Sequence, residues 1–214
     1  MIAAVALSLT LAATSTVTSG TGWRYGNGID HLDTTYWSIQ FYDEYSRDRL
    51  TFYMNLVSDE LEAHTDVKFN VTTVINPNSD ICPGHTQYGG HRLIVRLDPN
   101  STRSNATQCN VNGAADSSRA LFSETNWFSK TRDGSKYAYR RNVVSHEIGH
   151  SVGLGHPDWT GTESDPSGCT LSGTDPLMCG AYWGGYGGTP DHYSAHKYAP
   201  YDISGLKHLV LNRP

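Results

Sequence analysis

Four side chains between residues 146 and 156 are spaced to hold a metal ion and to use it. The stretch reads His146-Glu-Ile-Gly-His-Ser-Val-Gly-Leu-Gly-His156. On a helix, His146 and His150 lie four residues apart and project from one face, about one turn from each other. Two imidazoles in that relation reach a single tetrahedral Zn²⁺ at about 2.0–2.1 Å. Glu147 comes one position after the first ligand, where its carboxylate can meet a metal-held water without occupying a coordination position. Gly153 falls where the helix must stop and turn, and glycine tolerates the positive φ such a turn demands. The turn brings His156 back as a third ligand and leaves the fourth position to water. With 10 His and 21 Gly in 214 positions, a chance His-Glu-x-x-His arises in roughly one such chain in a hundred. Requiring the Gly and the third His lowers that to below about one in ten thousand, so the extended motif carries the metal reading.

The chemistry implied is hydrolysis. Zinc with an open position acidifies its water and polarises a carbonyl, and Glu147 is the candidate general base that passes the proton to a leaving amine. Met178 lies in the Pro- and Gly-bounded turn Asp175-Pro-Leu-Met-Cys-Gly180, where a thioether beneath three imidazoles would form an apolar floor. Two other classes share the metal motif: a secreted zinc-binding or adhesive module without catalysis, and a zinc hydrolase acting on a non-peptide amide. Glu147 argues against the first, because a structural site closes its fourth position and needs no carboxylate beside the metal. His31, His64, His85, His91 and His208 are expected to be satisfied polar residues. His192 and His196 are four apart, but Pro190 and Pro200 bracket them and no helical pattern supports a second metal site.

Residues 143–157 together with the later methionine turn resemble the metzincin clan of zinc endopeptidases, and His-Glu-Ile-Gly-His…Gly-His-Pro157 is most similar to its serralysin- and matrixin-type members. The resemblance implies an α+β fold with a twisted, mostly parallel sheet, a backing helix, an active-site helix and a C-terminal helix. It also implies an extended peptide substrate bound along an edge strand. In serralysin- and astacin-like members a Tyr two residues after the Met binds zinc or steadies the oxyanion. Here that position is Gly180, and the first tyrosine is Tyr182. Tyr182 is therefore the candidate oxyanion residue, with a packing aromatic as the alternative. The interval from His156 to Met178 is longer than in matrixins and carries Cys169, with Cys179 directly after the methionine.

The elements that must position this site follow from periodicity. Residues 36–42 are aromatic and alternating, a first strand. Between Asp43 and His64, Leu50, Tyr53, Met54, Val57 and Leu61 recur at helical spacing. Residues 67–75 and 91–97 predict two further strands, each closed by a turn signal. Residues 111–139 predict one or two short edge strands. Residues 140–153 predict the metal-site helix, with Val144, Ile148 and Val152 as its core stripe. Residues 157–195 lack a periodic pattern, and 201–211 predict a closing helix with Ile203, Leu206 and Leu209/Val210 inward.

Composition sets the outer bounds. A hydrophobic share of 37% over 214 residues suits one domain, and no internal repeat divides it. We expect a single catalytic domain over residues 20–214, after an apolar signal peptide or its remnant at residues 1–19 that lacks a basic residue near Met1. The net charge of -5 with no basic run excludes nucleic acid as an expected partner, and no segment is long and apolar enough to span a bilayer. The expected partner is a protein or peptide substrate, the expected state a monomer, and the expected location extracellular. Zinc is the expected cofactor. Calcium is open to a chain with 21 acidic residues, but no ligand-loop spacing supports it. Four cysteines allow two disulfides with three connectivities. The local pairs Cys82–Cys109 and Cys169–Cys179 are favoured because each closes a loop without periodic structure. Asn70, Asn100 and Asn105 head Asn-x-Ser/Thr sequons, which matter only in a glycosylating host.

Overall fold

The computed structural model describes residues 29–32, 35–78, 91–129, 136–156, 177–179 and 197–211. Along the chain these form β1 (Tyr36–Phe41), α1 (Glu44–Thr65), β2 (Lys68–Ile75), β3 (Arg92–Asp98), β4 (Asn105–Val111), β5 (Ala114–Ser123), α2 (Glu124–Ser129), α3 (Lys136–Ser151), a 3₁₀ turn at Leu177–Cys179 and α4 (Pro200–Leu211). The sheet order is β2-β1-β3-β5-β4. Its first four strands are parallel and β4 runs antiparallel to β5. The expected mixed α+β architecture with a mostly parallel sheet is therefore present. No described helix is long and apolar enough to cross a membrane.

Local chemistry explains where α1 starts and stops. The Asp43 carboxylate caps it by accepting from the Ser46 N–H at 2.7 Å. Asp66 ends it in the left-handed region at φ 56°, its N–H returning to the Glu62 carbonyl. The predicted stripe of Leu50, Tyr53, Met54, Val57 and Leu61 is buried. It packs with Trp37, Ile39 and Phe41 of β1 and Leu93, Val95 and Leu97 of β3 in one core. Parallel β1 and β2 need a crossover, and α1 is that crossover. α3 lies against β4 and β5, with Val144, Ile148 and Val152 fully buried.

The region after β3 corrects the expectation of short edge strands between 111 and 139. β4 begins earlier, at Asn105, and a two-residue Asn112-Gly113 turn joins it to β5. Both turn residues have positive φ (54° and 90°), the pairing that suits the twist of a hairpin. β5 is ten residues long and interior, hydrogen-bonded to β3 on one side and β4 on the other. Its middle reads Asp116-Ser-Ser-Arg119, and Asp116, Ser117 and Ser118 are all buried. Polar side chains on an interior strand hide the hydrophobic pattern from which a strand is read. α3 also starts earlier than predicted, at Lys136.

Of the expected disulfides, Cys109 is buried on β4, and no disulfide occurs among the described residues. Cys82, Cys169 and the side chain of Cys179 lie outside them, as do the expected signal segment, Tyr182, His85, His192 and His196.

Leu93 and Ser118 face each other in the β3–β5 register, and both are fully buried. Ser118 Oγ has no hydrogen-bond partner among the described residues. Leu93→Ala should cost about 2–5 kcal/mol in urea denaturation. Ser118→Ala should be neutral or stabilising by up to about 1 kcal/mol, since it removes an unsatisfied buried hydroxyl. A destabilising Ser118→Ala would place β5 differently.

Candidate metal centre

The three motif histidines come from two pieces of backbone that one turn joins. His146 and His150 sit on α3 one turn apart. The helix then closes by two paired hydrogen bonds, Gly153 N–H to His150 O at 3.0 Å and Leu154 N–H to Gly149 O at 3.0 Å. This is the double-bonded helix stop built around a left-handed residue, and Gly153 supplies it at φ 111°. A Cβ at Gly153 would also fall 2.8 Å from Ile29 Cγ2, so both conformation and space demand glycine. Past the turn the chain doubles back and delivers His156.

The result is a triangle of Nε2 atoms. His146 to His150 measures 3.0 Å, His150 to His156 3.1 Å, and His146 to His156 3.3 Å. Ligands on a tetrahedral zinc at about 2.0–2.1 Å stand about 3.3 Å apart, so the triangle is close to one face of such a tetrahedron. Two of the rings are oriented from behind. His146 Nδ1 lies 3.0 Å from the Leu177 carbonyl, and His150 Nδ1 lies 2.7 Å from the Leu154 carbonyl. A carbonyl only accepts, so each Nδ1 carries the proton in the neutral ring and each Nε2 is left a bare lone pair. Burial, reinforced by the neighbouring imidazoles, holds His146 well below the usual range and His150 at about 4. Burial also lowers His156. All three rings are therefore unprotonated donors at neutral pH. Such a donor set fits a divalent, imidazole-preferring ion such as zinc.

Glu147 is 3% exposed, and burial alone raises its carboxyl to about 8. A carboxylate in so poor a solvent needs a nearby positive charge to stay ionised at neutral pH.

Met178 lies against α3 at Gly149, between the two helix histidines. It is fully buried, and a Cβ built on Gly149 would come 2.5 Å from its Sδ and 3.3 Å from a Tyr198 ring carbon. The missing side chain at Gly149 leaves room for the Met178 thioether against the helix. Sequence reasoning singled out Met178 for this turn but missed the acid that holds it there and two side chains that bond the carbonyls of α3. The Asp202 carboxylate accepts from Leu177 N–H at 2.7 Å, Met178 N–H at 3.3 Å and Ala199 N–H at 2.8 Å. Burial raises Asp202 to about 6 against the lowering effect of those three donors. Tyr198 donates its hydroxyl to the Ser145 carbonyl at 2.7 Å, and Gln108 on β4 donates its side-chain amide to the His150 carbonyl. Pro200 followed by Asp202, proline in the first helical turn and an acid two residues on, was the sequence signal for one of these.

His146, His150 and His156 form a potential metal-ligand group, all three ligand atoms lying within 4.8 Å of one another. His31 and His91 stand elsewhere. His31 contacts Asp30 and bridges to Ala114, and His91 stacks near Trp37 at a ring separation of 6.2 Å. No protein-family model matches the chain, and no curated protein matches it.

Zinc added to the metal-free protein should bind one to one in calorimetric titration and raise its unfolding midpoint. At free zinc 100 times Kd the gain is about 2.7 kcal/mol. His150→Ala removes the imidazole common to the two shortest contacts and should abolish the effect. Undiminished zinc stabilisation in that variant would place the metal elsewhere.

Proposed function

We propose that this chain is a secreted zinc-dependent endopeptidase of the metzincin type. The observation that carries the reading is the convergence of three imidazole Nε2 atoms at 3.0–3.3 Å, with a buried glutamate next in sequence to one of them. The architecture supports it. An interior parallel sheet backs the helix, and β4 lies at the sheet's antiparallel edge, where an extended peptide could add as a further strand. The apolar start of the chain supports export.

His146, His150 and His156 would hold the ion. When bound there, zinc supplies Lewis acidity, polarising a carbonyl and acidifying water. Glu147 takes a proton from the attacking water and delivers it to the amine that leaves the cleaved peptide. Its low-dielectric setting makes it a strong proton acceptor once ionised. Met178, buried against Gly149, would form an apolar floor to the site. Tyr182 is assigned to oxyanion stabilisation by resemblance alone.

Casein and a random peptide library, with and without a chelator, separate the readings. Chelator-sensitive peptide cleavage is expected of the wild type. Glu147→Gln should keep its zinc and lose turnover by at least about 10². Substantial residual proteolysis in Glu147→Gln would remove the general-base role. Bound zinc with no cleavage of any peptide by the wild type would favour a non-catalytic module or hydrolysis of a non-peptide amide.

A further inference from the structure

We propose that Asp202 is a positioning residue for the metal centre, holding His146 in its ligating orientation through a single peptide group. This rests on the reading of the histidine triad as a metal site. The peptide that joins Leu177 to Met178 carries two contacts at opposite ends. Its carbonyl, Leu177 O, faces His146 Nδ1 at 3.0 Å, and its N–H, from Met178, points to Asp202 Oδ1 at 3.3 Å. A trans peptide is a rigid plane with its C=O and N–H opposed. Tilting the Asp202 end therefore swings the carbonyl that fixes His146.

The carboxylate is itself held from a third direction. Its other oxygen accepts from Leu177 N–H at 2.7 Å and from Ala199 N–H at 2.8 Å, at the start of α4. The last contact is that of an acid in the first turn reaching back to the amide that precedes the helix. Asp202 thus clamps the methionine turn onto the end of α4, and α4 is anchored by Leu206 and Leu209 in the core. The residue is fully buried and its three partners are all donors, so only an acceptor with two oxygens satisfies them. Asparagine has one acceptor oxygen. Whichever way its amide turns, an NH₂ group meets a backbone N–H, and the arrangement that keeps Leu177 and Ala199 satisfied aims that clash at the peptide holding His146.

Groups that orient a metal ligand typically change metal affinity by 10–100-fold when lost. Asp202 acts one step further out, so Asp202→Asn should weaken zinc binding on the order of tenfold. The test measures zinc Kd by competition with a chromophoric chelator, and the visible absorption of the Co²⁺ form, at a temperature where each variant is folded. Tyr198→Phe is the control. It removes the hydrogen bond from Tyr198 to the Ser145 carbonyl in the same region without touching the Leu177–Met178 peptide. Asp202→Asn should lose affinity and shift the Co²⁺ bands, while Tyr198→Phe loses stability only. Should Asp202→Asn not fold, Asp202→Glu, which keeps the charge and moves it by one methylene, carries the same expectation. Wild-type affinity and spectrum in the Asp202 variant would overturn the proposal. So would an equal loss in Tyr198→Phe, which would trace the effect to general loosening. Wild-type protein that binds neither Zn²⁺ nor Co²⁺ would instead remove the metal reading itself, and this inference with it.

Discussion

Three imidazole nitrogens stand within 3.0–3.3 Å of one another in a largely buried setting. Two of the rings have their Nδ1 turned to backbone carbonyls, so the Nε2 atoms of His146 and His150 meet as bare lone pairs. Those two lone pairs, 3.0 Å apart, repel one another, and with no proton between them they share no hydrogen bond. A cation at the centre would turn that repulsion into coordination. The surrounding groups follow the same logic. Glu147 is an acid in a place that disfavours its ionised form, raised to about 8 by burial, and a divalent ion nearby would draw it back toward the carboxylate.

Metal-free, the molecule is pulled two ways by pH. His150, depressed from 6.5 to about 4, contributes stability that is present above about 6.5 and lost as pH falls through about 4. Asp202 and Glu147, raised to about 6 and about 8, contribute stability that is present at low pH and lost as pH rises through those values. The pH window that keeps the histidines neutral is thus the one in which the acids cost most. A cation bound there would relieve the Glu147 cost without protonating the ligands, and would so contribute to stability.

Much of this was legible in the sequence, because ligand spacing, helix period and glycine placement are local. His146, His150 and Gly153 are related by helix geometry alone, and α1 and the core stripe of α3 follow from apolar spacing. What was not legible depends on contacts distant in sequence or on polar burial. β5 carries no apolar alternation to read, because Asp116, Ser117 and Ser118 are polar yet buried. The Asn112-Gly113 pair that marks its hairpin is the one local signal there. Asp202 and Gln108 reach the site across 24 or more residues, and spacing carries no trace of such a contact. The requirement for glycine at 149 likewise appears only when Met178 is packed against it.

The central claim is a three-imidazole face with one position left open. X-ray absorption at the zinc edge of the loaded protein tests it most directly. The account predicts four light scatterers at about 2.0–2.1 Å, three of them with the outer-shell signature of imidazole. A sulfur scatterer at about 2.3 Å, or fewer than three imidazoles, would contradict it.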